Sequence, residues 1–131
     1  NMDISDIKYV EKEIEIIHPA TKEPLGIFIS LMSPDDDRML RLKKQIGDKR
    51  AQIESKGKYL KTEELIRNRH MVLFTAITGW RWEGDAKFKG EKPELNQKNA
   101  FEMFEELPWL VNQIDEQFSE LESFFTEVKA S

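Results

Sequence analysis

The sequence predicts a mainly α-helical α+β fold, in which an N-terminal β-hairpin packs on a small bundle of about four helices. Two patterns predict it. Side chains in residues 9–32 alternate between polar and apolar, which is the period of a half-buried strand. From residue 34 onward apolar residues recur at helical spacing, in segments separated by glycine and proline. We therefore expect a single domain over residues 1–131, with the hairpin at 9–32 and helices at about 34–56, 62–78, 96–107 and 109–128.

Length and composition restrict the class of protein. A chain of 131 residues with 39% hydrophobic content can bury a core without disulfides or a structural metal. The absence of cysteine excludes disulfide and thiolate chemistry and is consistent with a reducing cytosol. The sequence contains no apolar run near the length of a membrane span and no signal-peptide pattern. We therefore expect no membrane association.

Charge is distributed unevenly along the chain. Residues 33–70 carry 11 Lys and Arg against 7 Asp and Glu, whereas residues 91–131 carry 3 against 10. This asymmetry favours head-to-tail self-association or a basic partner, and the alternative is that both are solvated charged faces. Nucleic acid is a weaker interpretation, because the basic residues are interleaved with acids and lack aromatic residues on which bases could stack.

The hairpin is predicted from alternation on both strands. Val10, Lys12, Ile14 and Ile16 share one face and Glu11, Glu13 and Glu15 the other, and on the return strand Ile27, Ile29 and Leu31 oppose Phe28, Ser30 and Met32. A turn with two prolines, from His18 to Gly26, joins the strands. His18 has no second ligand nearby in sequence, so an ordinary turn histidine is favoured over a metal ligand.

The first long helix combines a strong start with a narrow apolar face. Ser33 is the expected N-cap, Pro34 the first helical residue, and Asp35, Asp36 and Asp37 interact with the helix dipole rather than with a magnesium ion. Four residues at 3-4-7 spacing form a thin apolar seam: Met39, Leu42, Ile46 and Ile53. We expect this helix to pack against one neighbour, in this chain or in another copy.

The second helix is expected to be buried. Most of its apolar residues share one broad face, namely Leu65, Ile66, Val72, Leu73, Ala76 and Ile77, and Met71 and Phe74 extend the apolar surface around its end. Arg69 lies within the same face. We expect its stem to pack on the core, with the guanidinium reaching solvent or a carboxylate.

Residues 77–109 run from the end of the second predicted helix to the start of the last one, and they contain all three tryptophans. Gly79 is expected to end the second helix in a left-handed conformation, and Asn96 to cap the next helix. Trp80, Trp82 and Phe88 are expected to fold back onto the core rather than form a binding surface, because exposed aromatic rings are costly.

The last helix carries the widest apolar face, formed by Leu110, Val111, Ile114, Phe118, Leu121, Phe124, Phe125 and Val128. Pro108 and Trp109, with Gly79, are the expected structural anchors, and we expect Trp109 to be buried where the helical segments meet. We expect the chain after Val128 to point into solvent, where an extension could follow.

The sequence lacks the patterns that mark catalytic sites. There is no glycine-rich phosphate loop, no nucleophile beside a base, and no metal-ligand spacing, and neither His18 nor His70 has a suitable serine or carboxylate partner. We therefore expect no catalytic residues, no metal, no cofactor and no enzymatic activity.

Several motifs together carry a family resemblance. They are His18-Pro19 with Pro24-Leu25-Gly26, then Ile77-Thr78-Gly79-Trp80, the segment from Pro93-Glu94-Leu95-Asn96 to Asn99-Ala100, and Pro108-Trp109 ahead of Phe124-Phe125. Over most of the chain the sequence resembles the tail assembly chaperones of long-tailed bacteriophages. The resemblance implies a protein of the host cell cytoplasm that binds the tape measure protein and recruits tail tube subunits, often with a longer form made by ribosomal frameshifting.

Two alternatives to a chaperone remain open. A minor tail or head-tail joining protein of the virion would be similarly short, acidic and helical, and an unrecognised enzyme would need a pocket with perturbed acids or histidines. For a chaperone, the candidate residues for partner binding or self-association are Met39, Leu42, Ile46, Ile53, Trp80, Trp82, Phe118 and Phe125.

Overall fold

A computed structural model describes the backbone of residues 11–130 and the side chains of residues 11–124. Within this part of the chain there are four helices and one three-stranded antiparallel sheet with strand order β1-β2-β3. The elements in chain order are β1 (Lys12–Ile17), β2 (Pro24–Leu31), α1 (Asp37–Ser55), α2 (Thr62–Ala76), β3 (Ile77–Trp82), α3 (Gln97–Glu106) and α4 (Pro108–Ala130). The predicted class, an α+β fold with a hairpin against four helices, is confirmed.

The hairpin has the predicted inward and outward faces. Ile14, Ile16, Ile27, Ile29 and Leu31 are buried, and the three glutamates that alternate with the apolar residues of β1 are exposed. The turn is tighter than predicted, because β2 already begins at Pro24. The predicted hairpin start, at Tyr9 and Val10, lies outside the described residues.

The prediction that the second helix ends at Gly79 is wrong. Helix α2 ends at Ala76, and Ile77–Trp82 forms β3, which pairs antiparallel with β2. Gly79 lies opposite Ser30 in this ladder and has no left-handed φ angle. The physical reason is that β-branched and aromatic residues fit a pleated, half-buried surface, and β2 offers them an open edge.

The start of α1 also differs from the prediction. The N-cap is Asp36, whose carboxylate accepts hydrogen bonds from the backbone and side chain of Arg38, and these bonds lower the pKa of Asp36 to about 2. Ser33 instead accepts a hydrogen bond from the Asp35 backbone in the preceding turn. A carboxylate is favoured at the cap by the helix dipole, so the helix begins three residues later than predicted.

Only the second half of α2 is buried. His70, Leu73 and Ala76 are buried, but Leu65 and Ile66 are 42% and 50% exposed. The expectation of a wholly buried helix is therefore wrong. The first half of α2 faces the charged helix α1 across a groove, and no side chain of the described residues covers Leu65 and Ile66 fully.

The core lies between the sheet and the helices α3 and α4. Asn96 caps α3 as predicted, with its side chain accepting from the Asn99 backbone, and α4 is slightly longer than predicted at both ends. The largest fully buried side chains include Phe104, Phe118, Ile16, Ile29, Leu31, Met39, Leu73, Met103, Leu110 and Ile114. The side chains of Phe125 and Val128, and the whole of Ser131, lie outside the described residues.

Candidate binding surfaces

An apolar groove opens where the sheet meets α3 and α4. It has a volume of about 710 Å³, and we call it the aromatic groove. Its apolar wall is formed by Leu25 of β2, Trp82 of β3, Phe88 of the following loop, and Leu107 and Trp109 at the α3–α4 junction. All five side chains are half-buried and pack against the core. The groove therefore presents large apolar groups on a rigid base.

The backbone around Gly26 determines the shape of the groove. Gly26 has a φ angle of 79°, and a Cβ atom there would lie 2.9 Å from the carbonyl oxygen of Glu83. Glycine therefore permits β3 to end close against β2, where the Glu83 backbone donates to the Gly26 carbonyl over 2.8 Å. In the same wall the indole N–H of Trp82 is buried and has no hydrogen-bond partner among residues 11–124.

Charged residues surround the apolar wall. Lys92 donates to the backbone oxygens of Trp82 and Gly84 and ties the loop to the end of β3. Lys89 pairs with Glu102 at 2.9 Å and with Glu106 at 2.5 Å, and these carboxylates raise the pKa of the lysine. The loop that contributes Phe88 is therefore attached to α3 by exposed ion pairs, which are weak individually.

Trp109 lies at the edge of the aromatic groove rather than deep in the core. It is half-buried, next to the exposed Pro108 at the first turn of α4. The ring packs against the core where α3 and α4 meet, as expected of an anchor, but it is half-buried rather than buried because it also lines the groove. Trp80 packs on the core and donates its indole N–H to the Pro93 carbonyl over 3.0 Å.

A second and smaller groove separates α1 from α2. It has a volume of about 240 Å³ and combines the apolar residues Leu42, Ile46, Leu60 and Met71 with basic groups. Those basic groups are Lys49, Arg50 and Arg67, against one acid, Glu64. The predicted seam on α1 lies beside a neighbour in this chain, α2, and its residues after Met39 remain partly accessible.

The predicted partner-binding residues do not form one surface. Met39 and Phe118 are 0% and 2% exposed, so they belong to the core and cannot contact a partner directly. Leu42, Ile46 and Ile53 are half-buried along α1. Trp80 and Trp82 fold back onto the core, as expected, with their rings at right angles and 6.1 Å between centroids. The side chain of Phe125 lies outside the described residues.

The groove residues Leu25 and Leu107 were not predicted from the sequence. Each is a leucine beside a proline, in Pro24-Leu25 and Leu107-Pro108, at a place where the chain changes direction. Periodicity assigns both leucines to core faces, because Leu25 continues the alternation of β2 and Leu107 continues the helical spacing of the apolar residues of α3. The sequence therefore gives no signal that either one lines a surface groove. Only the contact between β2 and the α3–α4 junction brings the two leucines together.

The histidines and Arg69 have structural surroundings. The Nδ1 atom of His18 accepts from the backbone N–H groups of Ala20 and Thr21, which confirms the turn histidine. His70 packs against the rings of Phe101 and Phe104, and burial lowers its pKa. Arg69 pairs with Asp115 at 3.0 Å, which is the second of the two predicted environments, solvent or a carboxylate.

The described part of the chain offers no cluster of metal ligands. Within residues 11–124, no three His, Asp or Glu side chains lie together in a way that could hold a metal ion. None of the described helices is both long enough and apolar enough to span a membrane.

Comparisons with known proteins identify no relative. No protein-family model, no curated protein and no solved structure matches the chain.

Proposed function

We propose that this protein is a tail assembly chaperone of a long-tailed bacteriophage, which binds the tape measure protein and recruits tail tube subunits in the host cytoplasm. The proposal rests on the resemblance in the Pro-Leu-Gly, Ile-Thr-Gly-Trp and Pro-Trp motifs. The feature of the fold that supports it best is the aromatic groove. The first and third motifs contribute Leu25 and Trp109 to it, and the second lies in the same strand as the groove residue Trp82.

The chemistry of the aromatic groove suits the apolar face of a client helix. The family resemblance implies a client that is long, helical and partly apolar. The half-buried rings of Trp82, Phe88 and Trp109 can bury apolar side chains at little cost in side-chain entropy, because they are already held by the core. Docking of an amphipathic helix in an apolar groove is a common mode of recognition, and this groove offers a volume of about 710 Å³ lined by large apolar side chains.

Genome context and co-expression test this proposal together. A very long helical reading frame downstream of this gene, with a slippery sequence near the end of this gene, is expected. Helical fragments encoded by that frame, co-expressed with this protein, should be captured and kept in solution. Phe88→Ala and Leu107→Ala should reduce capture, whereas Tyr59→Ala should not, since Tyr59 is 83% exposed and lies outside the groove.

Two results would contradict the proposal. A fragment captured equally well by the Phe88→Ala and Tyr59→Ala proteins would remove the aromatic groove from client binding. Stable incorporation of this protein into purified virions would favour the alternative, a structural minor tail or head-tail joining protein.

Self-association is part of the proposed function. The grooved face between α1 and α2 carries Lys49, Arg50 and Arg67, whereas α3 and α4 are rich in exposed acids. Contacts between two such unlike faces are head-to-tail and form rings or open spirals. Light scattering should therefore show a mass that rises with protein concentration and falls with added salt.

Two charge reversals, a test and its matched control, probe self-association. Lys49→Glu should weaken association, whereas Lys98→Glu, the same change at an exposed site on acidic α3, should not. A monomer at every concentration in low salt would exclude this mode of assembly.

A further inference from the structure

Strand β1 forms one edge of the sheet. Its inner edge pairs with β2, with Glu13 opposite Ser30 and Glu15 opposite Phe28, and within the described chain no strand lies on its outer side. A groove of about 470 Å³ runs along this outer edge, between β1 and helix α4.

The hydrogen-bonding pattern of β2 shows which backbone groups of β1 face this groove. The Gly26 carbonyl accepts from Glu83, so Gly26, Phe28 and Ser30 direct their backbone groups toward β3. The residues opposite Phe28 and Ser30 on β1, Glu15 and Glu13, then form non-hydrogen-bonded pairs with β2. Their N–H and C=O groups point away from the sheet.

At Ile17, the last residue of β1, a side chain of α4 supplies hydrogen-bond partners for the outward-facing backbone groups. The side-chain amide of Gln113 accepts from the Ile17 N–H over 3.1 Å and donates to the Ile17 carbonyl over 2.7 Å. These are the two hydrogen bonds that a neighbouring strand would make with a single residue. Gln113 thus takes the place of a strand at Ile17, and the next outward-facing residues are Glu15 and Glu13.

The charges that line the groove beside β1 determine which kind of peptide segment can bind there. Glu13, Glu15 and Glu116 line it and are exposed, whereas Lys12 is its one lysine and donates to Gln117 over 3.1 Å. Glu13 pairs across the sheet with Arg81, which stacks on Phe28, and that pair lowers the pKa of Glu13. A strand added here would place alternate side chains beside Glu13 and Glu15 on the outer face.

We propose that the outer edge of β1 binds an extended, basic peptide segment of a partner by β-strand addition. The backbone of the segment pairs with Glu13 and Glu15, lysines or arginines at alternate positions face the two carboxylates, and the intervening side chains enter the groove beside Ile14 and α4. This interaction does not depend on the aromatic groove or on the proposed chaperone function.

Binding of a defined peptide to the full chain tests the proposal. The probe is an amidated Lys-Val-Lys-Val-Lys peptide with a fluorescent label at its N-terminus. Fluorescence anisotropy measures its affinity, and NMR follows amide exchange in the protein. Binding should protect the Glu13 and Glu15 amides from exchange. Methylation of the peptide nitrogens on one edge should weaken binding by about fivefold or more, since each methyl group removes a backbone hydrogen bond, and methylation on the other edge should not.

Protein variants separate backbone pairing from charge. Glu15→Pro removes an N–H that points outward, so the β1–β2 ladder should survive, as circular dichroism can verify, while peptide binding is lost. Glu15→Lys should weaken binding by about fivefold, and the same reversal at Glu94, an exposed residue outside the groove, should not.

Three results would overturn the proposal. The first is peptide binding with no protection at Glu13 and Glu15, and the second is equal binding of the two methylated peptides. The third is protection of these amides that grows with protein concentration in the absence of peptide, because the edge would then be occupied by a second copy of this chain.

Discussion

Two regions of this molecule differ in how they are held in place. The sheet with α3 and α4 forms what we call the core layer, whose inward side chains, such as Phe104 and Ile114, are almost completely buried. Residues 40–69, which we call the helical arm, contain most of α1 and the first half of α2. Of the nineteen residues of α1, Met39 alone is buried, and it lies just before the arm begins.

The difference in burial predicts that the helices of the arm are less stable than those of the core layer. In the arm, local ion pairs such as Lys44–Asp48 and Arg50–Glu54 replace the apolar contacts of the core layer. Such i,i+4 pairs contribute about 0.3–0.5 kcal/mol each. A buried aromatic side chain contributes several times as much. We therefore expect the arm to open while the core layer stays folded.

The largest difference in stability loss is expected between alanine variants at Phe118 and at Ile53. Phe118→Ala should lower the free energy of unfolding by about 3–5 kcal/mol, because it leaves a cavity in the core layer. Ile53→Ala, near the far end of α1, should cost about 1 kcal/mol or less, since its side chain is half-buried. Urea denaturation measures both. Equal losses would show that the arm is as integral to the fold as the core layer.

Trp109 should give an intermediate effect. Its ring is half-buried, with one side open to the aromatic groove, so Trp109→Ala should cost about 2 kcal/mol. Trp109→Phe, the control, should retain most of that stability. If Trp109→Ala costs as much as Phe118→Ala, the ring is more enclosed than its position at the groove implies.

The smallest effect concerns His70 and pH. Burial against Phe101 and Phe104 lowers its pKa below the ordinary value of 6.5, so the folded protein binds this proton less readily than the unfolded chain. The neutral imidazole thus contributes stability that is present above pH 6.5 and is lost as the pH falls toward the lowered pKa. His70→Phe should remove this part of the pH dependence in thermal unfolding. Identical pH profiles for both proteins would contradict the assignment.

Much of the fold could be predicted because local patterns and tertiary packing agree. Alternation specified the buried faces of β1 and β2, and Asn96 caps α3 where the sequence placed a helix start. The wrong prediction for Ile77–Trp82, a helix end instead of a strand, has a physical cause. The segment follows a helical pattern without a break, and its strand conformation depends on pairing with β2, which is remote in sequence.

The binding surfaces were less predictable for the same reason. Helical spacing placed Met39 and Phe118 among surface candidates, but periodicity does not indicate which neighbour covers a face. Leu65 and Ile66 show the opposite error, since an apolar face predicted to be buried extends past the core layer. The aromatic groove joins residues from β2, β3, a loop and the α3–α4 junction, so it follows from tertiary contacts rather than from any one segment.

Native-state hydrogen exchange tests most directly whether the helical arm opens separately from the core layer. Amides of Ile46 and Ile53 in α1 should exchange through local openings, with a lower free energy than the amides of Ile114 and Phe118 in α4 and with little dependence on low concentrations of denaturant. The α4 amides should exchange through global unfolding. If all four amides exchange with the same free energy and the same denaturant dependence, the arm and the core layer unfold as one unit, and separate opening of the arm is contradicted.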